Sequence, residues 1–296
     1  MRVTVKEVGP RDGLQNEPTF IQTEDKISWI NQLSQTGLTY IEVTSFVHPK
    51  WIPQLADAYE VASRIERVEG VTYAALVPNK KGLEGALAAN MDEVAVFMSA
   101  SETHNRKNIN KSMEETYVVL KEVIDEAKRE NKTVRGYVST VFGCPYEGKV
   151  SIERVISVSE RLFELGIDEL SLGDTIGVAN PVQVQRTLEQ ILKRFPAEKI
   201  ALHFHNTRGM ALANVFASLQ MGITIFDSSL GGLGGCPYAP GASGNLATDD
   251  LVYMLTQMGI ECGVQLEPLT EAARWIEEKI GRPLTSHHLN VVRGNV

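Results

Sequence analysis

The stretch HFHN places two imidazoles, His203 and His205, two residues apart. On an extended strand the side chains at i and i+2 point to the same side, so both rings can converge on one metal ion. Two oxygen ligands stand elsewhere in the chain: Asp12, in GPRDGLQNE, and Asn245, at the end of a glycine-rich run. Two nitrogens with oxygens and no thiolate suit magnesium or manganese, and zinc also accepts His and Asp. Arg11, beside Asp12, offers a cation that could neutralise a substrate carboxylate or a developing enolate. The run LGGLGGCPYAPGASGN, from Leu230 to Asn245, sets the thiol of Cys236 among six glycines. Glycine permits positive φ and close approach of backbone to a ligand, so the run reads either as a plain surface loop or as part of a site.

These residues meet only if the fold brings strand ends together. Short β-branched runs alternate with longer helical patterns, the signature of βα units and a parallel sheet. Eight strands are predicted, at 3–8, 40–43, 72–76, 93–97, 135–140, 169–173, 200–205 and 223–229. Ser112 with Glu115 reads as a capping box, Asn180-Pro181 as a helix start, and Gly37, Gly166 and Gly222 as helix ends. Eight such units predict an α/β protein of the (β/α)8 TIM-barrel type. A doubly wound open sheet is the alternative, but its GxGxxG fingerprint is missing after the first strand. From about residue 246 the chain reads as two more helices and a short tail, and no composition break divides 1–296 into separate domains.

In such a barrel the active site lies at the C-terminal ends of the strands. Strand one runs into Arg11, Asp12 and Gln15, strand six ends at Asp174, strand seven carries the two histidines, and strand eight leads to the glycine run. Gln15 joins Arg11 as an expected substrate contact. Glu7 and Glu42 lie within strands near the same mouth, where a buried carboxylate needs a partner and Arg11 is the natural one. With Asp174 they are expected to support the ligands from behind. Cys144, in FGCPYEG, reads as packing rather than chemistry.

Composition narrows the partners. With 296 residues, 43% hydrophobic and 22% charged, the chain can bury a large core. A net charge of −8 argues against nucleic acid or a membrane surface as partner, so cations in a cleft become informative. Cys144, Cys236 and Cys262 are too few and scattered for a disulfide framework. No apolar run is long enough to span a bilayer, and the first strand begins at Val3. These features together predict a cytoplasmic protein.

The segments EVGPRDGLQNE, IEVTSFV, KNINKS, RGYVSTVFGCPYEG, SLGDTIGVA, HFHNTRGMALAN and GGLGGCPYAPGASGN together closely resemble the 3-hydroxy-3-methylglutaryl-CoA (HMG-CoA) lyase family, from about residue 3 to about 285. The Arg-Asp pair and HxH are shared with the homocitrate and isopropylmalate synthases of the same superfamily, whereas the cysteine-centred glycine loop is particular to the lyases. The resemblance implies cleavage of HMG-CoA to acetyl-CoA and acetoacetate, as in leucine degradation, with Mg2+ or Mn2+ as cofactor. It implies that Asp12, His203, His205 and Asn245 hold the metal and that Glu42 supports Asp12 and Arg11. Arg11 then faces the reacting carbonyl, Cys236 acts in proton transfer from a closing lid, and either Asp12 or His203 takes the hydroxyl proton. Helices after the barrel match the family's lid and dimer regions, which implies a homo-oligomer, a dimer. One departure is visible: the tail RPLTSHHLNVVRGNV lacks the regulatory cysteine of some animal enzymes.

An acyl-CoA substrate needs a site for its phosphates. NRKNINK (105–111) follows strand four and offers Asn108 and Lys111, although a solvated loop has the same composition. Two other readings stand beside the lyase: action on a related 3-hydroxyacyl-CoA or condensation by a superfamily synthase, and a barrel that only binds metal or partners.

Overall fold

Apolar runs long enough to be buried on both faces become the strands of one closed sheet. The computed structural model describes residues 1–234 and 244–294. Strands β1 (Thr4–Glu7), β2 (Tyr40–Ser45), β3 (Thr72–Leu76), β4 (Glu93–Ser99), β5 (Thr133–Ser139), β6 (Glu169–Asp174), β7 (Ile200–Phe204) and β8 (Ile225–Ser228) pair in parallel in chain order. β8 returns to β1, with Thr4 beside Ile225 and Glu7 beside Ser228, so the barrel closes. YIEVTS in β2 is buried at every position, as a parallel strand covered on both faces requires. The predicted (β/α)8 barrel is the observed fold.

Helices α1 (Thr23–Ser34), α2 (Ala58–Arg64), α3 (Lys80–Ala88), α4 (Glu102–Ile109), α5 (Met113–Arg129), α6 (Ile152–Leu165), α7 (Pro181–Ile191) and α8 (Ala211–Gln220) link the strands. Their local signals act as read. Ser112 and Glu115 form a reciprocal capping box on α5, and the Asn180 side chain accepts from the Gln183 amide with Pro181 opening α7. α6 buries Val155, Val158 and Leu162 on one stripe and stops at Gly166, in the left-handed region.

The sequence ran β5 through Thr140, but the strand ends at Ser139. Thr140 turns into the left-handed region at φ 63°, and its amide donates to Thr175 Oγ1 at 2.8 Å instead of to the ladder. After β8, helix α9 (Thr248–Gln257) completes the eighth unit and α10 (Leu266–Ile280) packs against α1 and α9. The segment read as a tail contains a further helix, α11 (His287–Arg293), because Ser286 caps it and Asp250 accepts from the His287 and His288 amides. Among the described residues no helix is long and apolar enough to cross a membrane.

The space between helices and sheet is apolar, with Trp29, Ile30, Leu33 and Leu83 fully buried. The barrel interior is different. Arg135 on β5 reaches Asp227 on β8 at 2.6 Å and Glu169 on β6 at 2.6 Å, and Lys6 on β1 meets the same Glu169 at 2.7 Å. Strands so far apart around the barrel can be bridged only through its centre, so an ion-paired layer lies beneath the mouth.

Candidate active site

Beyond β1 the chain makes one π-helical turn, Gly9–Gly13, in which the amides of Arg11, Asp12 and Gly13 all point at the Val8 carbonyl. A Cβ on Gly13 would lie 2.6 Å from Ser229 Oγ, so this turn packs directly on the turn after β8. His203 is on β7 and His205 just past it, where His205 forms a backbone bridge to Asn245. The bridge brings the four expected metal ligands together. Asp12, His203 and His205 offer ligand atoms all within 4.8 Å of one another. The Asn245 amide nitrogen donates to Asp12 Oδ2 at 2.8 Å and to the Leu233 carbonyl at 3.0 Å. Asn245 Oδ1 is therefore left buried with no hydrogen-bond partner among the described residues, and His205 Nδ1 shares that condition. Buried polar atoms are rarely unsatisfied. A divalent cation held by one carboxylate, one amide oxygen and two imidazoles would supply the missing partner, and the donor set suits one.

Beside this cluster Arg11 is 6% exposed and doubly paired. Its Nε donates to Glu42 Oε2 at 2.8 Å and its Nη1 to Asp12 Oδ1 at 2.6 Å, while Gln15 donates to the same Asp12 oxygen at 2.7 Å. Tyr137 also donates to Glu42, at 3.1 Å. Burial alone would raise the Asp12 pKa, but Arg11, His203 and His205 outweigh it and hold the carboxylate ionised below the usual range. Burial is not overcome at Glu42, whose pKa is raised despite Arg11. The two histidines diverge: burial and His203 push His205 down to about 4, whereas at His203 the Asp227 hydrogen bond and Asp12 outweigh burial and raise it.

Arg11, Asp12, Gln15, Tyr137, His203 and His205 line a cavity of about 600 Å3, and Asn108 and Lys111 line it as well. That volume is in the range of small-molecule and cofactor sites. Trp51, Asn79 and Ser139 also line it, and the sequence had given no reason to select them.

Two expected supports are placed differently from their reading. Glu7 does not meet Arg11. Its Oε1 accepts the Gly9 amide at 2.7 Å and the Leu230 amide at 3.0 Å, and its Oε2 meets the Thr248 hydroxyl at 2.6 Å. It thus ties the Arg-Asp turn to the turn after β8. Asp174 accepts the Val178 and Ala179 amides and shapes the GDTIGVA turn, with burial raising its pKa to about 6. Cys144 is buried and accepts the Tyr146 and Glu147 amides, a packing role.

Burial also raises Glu7, from 4.5 to about 7, against the pull of Thr248, Leu230 and Gly9. Between those values the folded protein binds more protons than the unfolded chain, so this contribution to stability is full below about 4.5 and is lost as pH rises towards 7. Glu7→Gln copies the neutral form, since its amide oxygen keeps both backbone donors. Denaturant unfolding is therefore expected to show Glu7→Gln gaining about 2–3 kcal/mol on the wild type between about pH 5 and pH 7.5. An unchanged difference across that interval would refute the assignment.

Cys236 lies outside the described residues. Gly234, the last residue described before it, is explained by contact. At Gly234, φ is 97° and a Cβ would lie 2.6 Å from the Asn245 amide nitrogen and 3.1 Å from the Asp12 carbonyl. The chain thus passes directly over the ligand cluster two residues before the thiol.

The site residue that the sequence reading missed is Asp227, which sits beside His203 in the β7–β8 register and 3.3 Å from its Nδ1. Its signal was a lone acid inside the apolar run ITIFDSS, matched by a lone Arg135 inside RGYVST.

Known proteins match this arrangement along almost its whole length. The HMGL-like family profile matches residues 2–276. Hydroxymethylglutaryl-CoA lyase of Bacillus subtilis is 67% identical over 294 residues, covering 99% of this chain and 98% of that protein. The crystal structure of the Bacillus subtilis HMG-CoA lyase superposes with a TM-score of 0.98, covering 99% of this chain and 98% of that one. An HMG-CoA lyase from Acinetobacter baumannii, in complex with coenzyme A and 3-methylmalate, is 44% identical with a TM-score of 0.93, covering 97% of this chain and 93% of that one.

Proposed function

The chain belongs to the HMGL-like family, and from that premise we propose that it is a carbon–carbon lyase cleaving HMG-CoA to acetyl-CoA and acetoacetate. The observation that carries this reading is the convergence of Asp12, His203, His205 and a buried guanidinium, Arg11, on one cavity, with Asn245 hydrogen-bonded to Asp12 beside it. Cleavage between C2 and C3 removes the C3 hydroxyl proton, turns C3 into a ketone, and passes the bonding pair to C2 as the enolate of acetyl-CoA. Of Asp12 and His203, Asp12 takes the proton in this reading, because a metal-bound His203 has its other ring nitrogen against Asp227. Arg11 holds the thioester oxygen as negative charge develops there. A bound divalent cation, Mg2+ or Mn2+ in this reading, supplies Lewis-acid polarisation of the substrate's oxygens. Asn245 and His205 complete its ligand set, Glu42 steadies Arg11, and Gln15 orients Asp12 and meets substrate.

The enolate carbon then needs a proton, which we assign to the Cys236 thiol. A free cysteine thiol, with a pKa of about 8.5, carries its proton near neutral pH. Cys236→Ser is expected to retain Mn2+ and acyl-CoA binding while kcat falls by about 10²-fold or more; a wild-type kcat would remove Cys236 from the role. Asn108 and Lys111 line the cavity where the acyl carrier's phosphates would reach. In this reading the chain works as one catalytic unit over 1–296, in the cytoplasm, as a homodimer.

Product analysis tests the reaction. Purified protein with HMG-CoA is expected to release acetyl-CoA and acetoacetate in equal amounts. Release only from another 3-hydroxyacyl-CoA, or net condensation of acetyl-CoA with a 2-oxo acid, would overturn it.

A further inference from the structure

The interior of the barrel holds a carboxylate that the reaction itself does not use. Asp227 on β8 is buried and has three partners. Arg135 Nη2 donates to its Oδ1 at 2.6 Å, Ser171 Oγ donates to its Oδ2 at 2.8 Å, and His203 Nδ1 lies 3.3 Å from the same Oδ2. An ionised carboxylate only accepts hydrogen bonds, so the nitrogen facing it must be the one that carries hydrogen. On the other edge of the same ring, His203 Nε2 stands 3.8 Å from Asp12 Oδ2, on the side of the ligand cluster. A metal ligand must present a bare nitrogen.

We propose that Asp227 is a positioning residue that fixes the tautomer of His203, holding hydrogen on Nδ1 so that Nε2 is bare towards the Asp12 cluster. The inference rests on the metal-centre reading given above. Arg135 makes the device directional. It anchors Oδ1 from the far side, and Ser171 anchors Oδ2, so the carboxylate cannot rotate away from the ring. In Asp227→Asn the amide oxygen stays with the guanidinium, which can only donate. The amide NH2 then occupies the place of Oδ2 and donates to His203 Nδ1. The hydrogen of the neutral ring moves to Nε2, the nitrogen that the metal requires.

The test has two readouts, neither of which is turnover. Nitrogen-15 spectra of the histidine rings in metal-free protein, recorded above the pH at which the His203 signals stop shifting and the ring is neutral, are expected to show His203 with hydrogen on Nδ1 in the wild type and on Nε2 in Asp227→Asn. Titration with Mn2+ alone is expected to show affinity about 10–100-fold weaker in Asp227→Asn. Glu169→Gln loosens the same Arg135 without touching His203, and is expected to leave Mn2+ affinity within about twofold. That control separates ring positioning from a general loss of the buried ion pairs. Wild-type His203 protonated on Nε2 would overturn the proposal even if Asp227→Asn did not fold, and so would undiminished Mn2+ affinity in the folded variant. A wild type that bound no Mn2+ would instead refute the metal-centre reading, while the ring spectrum still decided the role of Asp227.

Discussion

Arg11→Met is expected to lower kcat for HMG-CoA cleavage by about 10²–10³-fold, the cost of removing one donor aimed at a developing oxyanion. Methionine keeps much of the length and apolar stem of arginine but has no hydrogen to donate. Because the lost contact is strongest when the enolate forms, kcat and kcat/KM should fall together, with little change in KM. A second effect follows from the ion pairs. Glu42 is buried, and without Arg11 it keeps Tyr137 as its donor. Breaking a buried pair from one side costs about 3–5 kcal/mol, so the variant should also unfold at lower denaturant. Turnover is therefore compared per folded molecule, using Arg11→Lys as the partner variant that keeps charge but loses the fork. A folded Arg11→Met with wild-type kcat would remove Arg11 from the enolate site.

His203→Ala is expected to abolish detectable turnover and to weaken Mn2+ binding by about 10²-fold or more, since one of four ligands is gone and a second-layer change alone costs about 10–100-fold. The fold should survive. Asp227 keeps Arg135 and Ser171, so no buried charge is stranded. Calorimetric titration with Mn2+ and an unfolding curve on the metal-free variant separate the two effects. Normal Mn2+ affinity in His203→Ala would place the metal elsewhere.

How far the sequence disclosed this site depends on the distance over which each signal acts. Helix caps at Ser112, Asn180 and Gly166 were legible because a cap is decided within a few residues. The strands were legible because short β-branched runs alternate with longer helical patterns along the chain. Asp12, His203, His205 and Asn245 could be gathered from separate segments because barrel closure sets strand eight beside strand one. Pairings across the barrel interior were not legible. Glu7 and Glu42 both looked like partners for Arg11, and only the three-dimensional path of the turn after β8 gives Glu7 the Leu230 amide and the Thr248 hydroxyl instead. Asp227 was passed over for the same reason. A charge inside a buried strand demands an opposite charge, so Asp227 and Arg135 flagged each other, but nothing local indicated which strands face across the lumen. α11 escaped because its stability comes from Asp250 and Asp249 on α9 rather than from an apolar period of its own.

The central claim is that cleavage depends on a divalent cation held at this ligand cluster. The most direct measurement is acetoacetate release from HMG-CoA by the purified protein after exhaustive chelation, then again after Mg2+ or Mn2+ is restored. The account predicts release falling to about 1% or less of the loaded rate, as expected when a Lewis acid worth several kcal/mol is withdrawn, and full recovery with either ion. Undiminished release in excess chelator would contradict it.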